Sequence, residues 1–272
     1  MTFKRAVTDK RADWFHRLMG LNLRAPAVPF GKRVYCIGDI HGRLDLLDQL
    51  LLEIRKHHDR EAVAKPVLVF LGDYIDRGPD SKGVIGRLAQ LDMHDWELVF
   101  LRGNHDQSLL DFLNDPTLYR TWRSFGAADT LLSYGVLPPR FDDEGAFAQA
   151  RDALADTLPA AHKSFLENLV NLHVEGDYLF VHAGIRPGVP LDRQLPEDLL
   201  WIRDDFLLST RLLEKVVVHG HTPGPAPVER ANRICLDTGA HATGRLTAAV
   251  FEGENCLFLS TVPAARSGLT VA

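Results

Sequence analysis

At 272 residues, 46% hydrophobic and 25% charged, the chain has the make-up of an ordinary soluble globular protein with room for one large α/β domain. A net charge of −5 argues against a nucleic-acid-binding body, and no apolar run is long enough to span a membrane. Three cysteines, Cys36, Cys235 and Cys256, sit in strand-like runs and read as free thiols in a reducing compartment. The first thirty residues are basic but lack the apolar core of a signal peptide, so a cytoplasmic location is expected.

Residues 1–30 are expected to form a basic extension, either a short docking helix with a lead-in at Pro26 and Pro29 or a loose solvated tail. Val34–Ile37 reads as a strand. It is followed by GDIHG (Gly38–Gly42) and a helix with Leu44, Leu47, Leu50, Leu51 and Ile54 on one face. The end of that helix, including His57 and His58, reads as solvated. Val67–Leu71 is a near-continuous apolar strand leading into GDYIDRG (Gly72–Gly78), and Ser81 is the expected N-cap of the next helix. Leu98–Leu101 leads into GNHD (Gly103–Asp106). This strand–helix–strand rhythm predicts right-handed βαβ units and a parallel sheet.

Residues 107–172 change character. Helical patterns at Leu109–Leu113, Trp122–Tyr134 and Phe165–Leu172, broken by prolines and Gly135, predict a helical insert within a single domain spanning 31–272. Strands resume at Tyr178–Val181, Val216–Val218, Ile234–Leu236, Thr247–Phe251 and Leu257–Ser260, the last of them as antiparallel hairpins. VHAG (Val181–Gly184) and HGHT (His219–Thr222) close two of these strands.

All five motifs fall at the carboxyl ends of strands, where α/β sheets bind ligands. Each supplies Asp, Asn or His. Carboxylate oxygen and imidazole nitrogen suit divalent manganese, iron or zinc. Asp39 and His41, two apart in an extended segment, would point the same way and chelate one ion. Asp73 could bridge two ions, and Asn104, His182 and His221 could complete the second. Two ions about 3.5–4 Å apart would hold a hydroxide and neutralise a phosphate.

With these motifs in this order, the chain resembles the phosphoprotein phosphatase family of calcineurin-like metallophosphoesterases over residues 34 to about 251. LLWIRDDF (Leu199–Phe206) and LDTGA (Leu236–Ala240) place the resemblance in the bacterial, Rhizobiales-type branch. It implies a four-layer αββα fold, two mixed β-sheets flanked by helices, and hydrolysis of phosphomonoesters by a metal-bound hydroxide. Carried over residue by residue, Asp39, His41 and Asp73 would hold one metal. Asp73, Asn104, His182 and His221 would hold the other. His105 would protonate the leaving oxygen with Asp76 behind it, and Arg77, Arg102 and Arg203 would grip phosphate. Asn104 would also lie against the substrate phosphate.

The expected activity is therefore that of a dinuclear phosphomonoesterase with two divalent ions, manganese first and iron or zinc as alternatives. The expected substrates are phosphoproteins, at serine, threonine or tyrosine, or small phosphomonoesters. The alternative is a diadenosine tetraphosphate hydrolase. Asp106, where protein phosphatases usually carry Glu, leans toward that alternative; the Asp76–Arg77 pair leans against it. Pro223 stands where the wider superfamily often has a further His. Arg203 reads either as a phosphate ligand or as a surface ion pair with Asp204 and Asp205. His219 is expected to pack rather than ligate, and His241 reads either as a loop residue beside the site or as solvated.

Overall fold

The computed structural model describes residues 4–5, 25–60 and 65–261, and its sheets show why so many strands read as unbroken apolar runs. Strands β2 (Lys32–Ile37), β3 (Lys65–Phe70) and β4 (Glu97–Phe100) pair in parallel. Antiparallel β10 (Thr247–Glu252) and β11 (Asn255–Ser260) extend them on the β2 side, and the two-residue β1 (Lys4–Arg5) joins the outer edge. A second sheet orders β5 (Leu172–Glu175), β6 (Tyr178–Val181), β7 (Val216–His219), β9 (Arg233–Cys235) and β8 (Val228–Glu229).

Side chains alternate across a strand with period two, so each buried strand feeds two cores. In β2, Tyr35 and Ile37 face the helices while Val34 and Cys36 face the other sheet; in β3, Leu68 and Phe70 divide from Val67 and Val69 in the same way. Tyr178, Phe180, Val218 and Ile234 complete the core between the sheets. Leu179, Val181 and Val217 face outward onto Leu199, Ile202 and Phe206. The layers therefore run helix, sheet, sheet, helix, as the α/β class requires when both sheets are covered.

Helix α1 (Leu44–Arg60) buries Leu46, Leu47, Leu50, Leu51 and Ile54 on one stripe. At ~1.5–3 kcal/mol per buried aliphatic side chain, that face contributes on the order of 10 kcal/mol before chain entropy is counted. In its last turn Asp59 and Arg60 are exposed as expected, but His57 and His58 are half-buried. His57 shares a 2.9 Å hydrogen bond with the Tyr35 hydroxyl, and His58 packs edge-on against Trp96. Imidazole rings present an apolar body even among charged neighbours.

Helix α2 (Ser81–Ala89) is capped by Asp80, whose carboxylate accepts from the Gly83 amide at 2.7 Å. Ser81 is the first helical residue rather than the cap, because its hydroxyl is turned toward Asp76. Between β4 and β5 run α3 (Asn104–Asn114), α4 (Tyr119–Trp122), α5 (Ala127–Ser133), α6 (Glu144–Thr157) and α7 (Ala160–Glu167). Helix α6 lies within the expected helical insert, in a stretch where no individual helix was placed, and Leu172 begins β5 instead of ending a helix. Short α8 (Pro196–Trp201), α9 (Asp204–Leu207) and α10 (Ala240–Thr243) complete the described helices, none of them long and apolar enough to cross a membrane. The expected N-terminal docking helix lies outside the described residues.

Candidate active site

The loops after β2, β3, β4, β6 and β7 meet at one buried point, and backbone hydrogen bonds tie them together. Ile40 and His41 donate to the Asp73 carbonyl, Gly42 to that of Tyr74, and Gly220 to that of His182. Five residues at this point, His41, Asp73, Asp76, Arg77 and His221, have φ between 47° and 69°. Among the described residues Asp95 is the only other non-glycine with positive φ. Each such conformation costs ~1–3 kcal/mol and persists only where its surroundings over-determine it.

The histidine tautomers follow from their partners. Backbone carbonyls only accept, so His41 Nδ1 carries its proton to Ile75 O and His182 Nδ1 carries its proton to Leu71 O, both at 2.8 Å. Both Nε2 atoms are then bare. His41 Nε2 lies 3.5 Å from Asp73 Oδ2, and His182 Nε2 lies 3.4 Å from Asp73 Oδ1. Asn104 Oδ1 stands 2.9 Å from both His182 Nε2 and His221 Nδ1. Bare nitrogen therefore faces amide oxygen and carboxylate oxygen, an array of acceptors.

Asp39 accepts from the His221 amide through Oδ2 at 2.9 Å, while its Oδ1 and the His221 Nε2 are buried with no hydrogen-bond partner. Converging acceptors and orphaned buried lone pairs are the donor set that suits a cation. His41, Asp73 and His105 form one three-residue group able to hold an ion, and Asp73, His182 and His221 form another. Asp73 belongs to both. His41 does not lie in extended backbone beside Asp39, as the two-apart spacing suggested: its φ of 47° turns it toward Asp73.

The ionisation pattern separates these groups. Burial, followed by the like charges of Asp237 and Asp73, drives Asp39 well above the usual carboxylate range. Burial also resists charge on Asp73, but His182, His105, His41 and His221 outweigh it and draw its pKa down. Burial lowers His41 and His182 and pushes His221 down to about 2. His105 moves the other way. Burial opposes its charging, yet Asp73 and the hydrogen-bonded Asp76 prevail and raise it.

His105 Nδ1 donates to Asp76 Oδ2 at 2.7 Å, and its Nε2 accepts from Arg77 at 3.0 Å. The other terminal nitrogen of Arg77 donates to His41 Nε2 at 3.2 Å. Arg203 reaches the His221 carbonyl at 3.4 Å, and Asp205 pairs instead with Arg186. Arg102 turns away from the cluster: it donates to Gln107 and to the carbonyls of Glu167 and Leu169. His219 is buried edge-on against Phe206. His241 stands beside the site, its ring 5.3 Å from that of His41.

Several residues here were given no part in the site by the sequence, although Asp237, Trp201 and Asp106 lie within its motifs. Asp237 is buried next to Asp39, with its own pKa pushed up to about 6 chiefly by burial. It follows β9 just as Asp39 follows β2, so the strand-end rule could have found it. Trp122 and Thr130 bond Asp76. The Phe125 ring stands 5.7 Å from that of His105 and 5.3 Å from that of Trp201, which in turn lies near His221. Asp106 is fully buried and bonds three backbone amides. Its carboxylate is occupied by those amides, so its identity is a weak guide to substrate.

The profile of the calcineurin-like phosphoesterases matches residues 32–248. Serine/threonine-protein phosphatase 1 of Salmonella typhimurium is 30% identical over 227 residues, 80% of this chain and 91% of that enzyme. The symmetrical bis(5'-nucleosyl)-tetraphosphatase of an Acidovorax species is 34% identical over 154 residues, 57% of this chain and 44% of that enzyme. A solved structure provisionally assigned as a diadenosine tetraphosphatase superposes with a TM-score of 0.59 at 24% identity, covering 89% of this chain and all of that one. The profile match begins with β2 and reaches into β10, so it takes in every strand end that carries a cluster residue: the chain belongs to the calcineurin-like phosphoesterase family.

Proposed function

We propose that this phosphoric ester hydrolase is a dinuclear phosphomonoesterase acting on phosphoserine, phosphothreonine or phosphotyrosine in proteins. The observation that carries the proposal is the His105–Asp76 pair at the edge of the acceptor-lined cluster. Asp39, His41 and Asp73 would hold one divalent ion, and Asp73, Asn104, His182 and His221 the other. When bound, such ions neutralise phosphate and make a nucleophile of water near neutral pH. Manganese is the proposed native metal, and iron and zinc suit the same ligands.

The protein groups do the rest. Arg77 now donates to His41 and His105; an incoming phosphate dianion is the stronger acceptor and draws the guanidinium onto itself. That exchange frees His105 Nε2 to carry a proton. His105 gives this proton to the departing alkoxide while Asp76 stabilises its charged form. Arg203 grips phosphate from the His221 side together with Asn104, and Arg102 joins by exchanging Gln107 for a phosphate oxygen.

Hydrolysis of diadenosine tetraphosphate is the second reading, favoured by the relatives named for that activity. Specificity constants on a phosphoserine peptide and on diadenosine tetraphosphate, measured with manganese, separate the two. The peptide should be favoured, and a much higher constant on the dinucleotide would promote the second reading.

A further inference from the structure

The Asp76 carboxylate is held by three side chains. His105 Nδ1 and Trp122 Nε1 both donate to Oδ2, at 2.7 and 2.8 Å, and Thr130 Oγ1 donates to Oδ1 at 2.5 Å. The Asp76 amide donates in turn to Thr130 Oγ1 at 2.9 Å and to Ser81 Oγ at 3.1 Å. The two hydroxyls lie 3.0 Å apart. A hydroxyl has one proton. That of Thr130 goes to the carboxylate, so that of Ser81 goes to Thr130. One threonine hydroxyl thus bonds both the side chain and the backbone of Asp76, a residue with φ of 69°. All five residues of this network are buried: Asp76, Ser81 and Thr130 at 0% exposed, Trp122 at 1% and His105 at 2%.

Trp122 and Thr130 lie 46 and 54 positions from Asp76, in α4 and α5. The turn between those helices supports the neighbouring residue as well: the carbonyls of Phe125 and Gly126 accept from the Arg77 side chain and amide. A carboxylate left to itself turns broadly about its last torsion. A histidine bonded to such a carboxylate inherits that freedom at its other nitrogen. Anchoring both carboxylate oxygens removes it and fixes where His105 Nε2 points.

We infer that Trp122 and Thr130 are positioning residues that aim the His105 proton, and that they adapt this site to phosphomonoesters whose leaving group is an alcohol. The inference rests on the reading of His105 as the acid. An alkoxide leaves badly without a proton, so aim matters for it. A nitrophenolate or a nucleotide phosphate leaves well unaided, so for such substrates a threefold anchor on Asp76 gains little.

The test compares wild type, Thr130→Val, Trp122→Phe, Thr130→Ser and His105→Ala on a phosphoserine peptide and on p-nitrophenyl phosphate, with manganese content measured for each. A misplacement of about 1 Å costs up to ~10²-fold, so Thr130→Val should lose ~10- to 100-fold on the peptide. On p-nitrophenyl phosphate it should lose about threefold or less, with metal retained. Trp122→Phe should follow the same pattern. Thr130→Ser, which keeps the hydroxyl, should keep the wild-type ratio between the two substrates and guards against a fold effect. On a His105→Ala background Thr130→Val should add nothing, because the two act as a unit. Equal losses on both substrates, or a full further loss on that background, overturn the positioning role. If His105→Ala itself loses equally on both substrates, the acid assignment fails first and the positioning role falls with it.

Discussion

Removing Asp106 should loosen the whole cluster without replacing a single proposed ligand. Its Oδ2 accepts from the amides of Asp73 at 2.8 Å and Gly103 at 2.9 Å, and its Oδ1 from that of Tyr74 at 3.1 Å. The carboxyl is fully buried, and burial, then Asp73, pushes its pKa up to about 8. Asp106→Ala strands three buried donors. At ~1–3 kcal/mol for each unsatisfied group, and allowing for water entering the vacated space, the loss should be about 4 kcal/mol. Asp106→Asn keeps one acceptor oxygen. Placed on the Asp73 and Gly103 amides, that oxygen turns the new NH2 onto the Tyr74 amide, breaking one bond of three, for about 2 kcal/mol. Domains of this kind hold ~5–15 kcal/mol in total, so both losses are measurable by urea unfolding after EDTA treatment. Manganese should also bind more weakly to Asp106→Ala, because the φ of 52° at Asp73 is no longer held. A loss below about 1 kcal/mol for Asp106→Ala, or equal losses for both variants, would refute the reasoning.

Three further outcomes are expected. EDTA should abolish phosphatase activity and manganese should restore it; Asp73→Asn, which weakens the residue shared by both candidate metal groups, should lose most of its metal by elemental analysis, and undiminished metal content would contradict the shared role. Gly220→Ala would place a methyl group 1.9 Å from Asp39 Oδ1, so its metal content should fall sharply while its circular dichroism stays native; full occupancy would show that the loop yields. His162 is buried and bonded to Tyr134, and burial, then Lys82, lowers it from 6.5. The folded state therefore binds fewer protons than the unfolded one below that value, so stability is held above pH 6.5 and lost as pH falls toward the lowered pKa. Thermal melts should show that loss, and His162→Gln should flatten it.

The strands that carry the cluster were legible because each is an apolar run stopped by glycine and a polar residue. The convergence of Asp73, His105, His182 and His221 followed from strand ends sharing one side of the sheets. Other features depended on contacts no local pattern encodes. Strand β5 was read as a helix end because Phe165, Leu166, Leu169 and Leu172 recur at helical spacing, and β8 has only two residues. Asp80 and Ser81 are both good caps, and what separates them is the engagement of the Ser81 hydroxyl by the Asp76 amide and by Thr130. Trp122 and Thr130 look like ordinary members of an amphipathic segment until Asp76 is brought beside them. Arg102 shows the converse: its place in the motif pointed to phosphate, whereas its hydrogen bonds run to Gln107 in α3 and to the carbonyls of Glu167 and Leu169 at and just beyond the end of α7.

The amide of His221 donates to the carboxylate of Asp39, 182 positions earlier in the chain. Asp39 and His221 bracket every other proposed metal ligand in the sequence. A chain still emerging from the ribosome cannot assemble this centre until His221 has been made and β7 has paired with β6. Fragments truncated before that point would carry four of the five loops yet lack the ring that completes the second candidate metal group. Chains that stop short of His221 therefore lack a complete second candidate metal group, which makes the assembly of this centre a late event in folding.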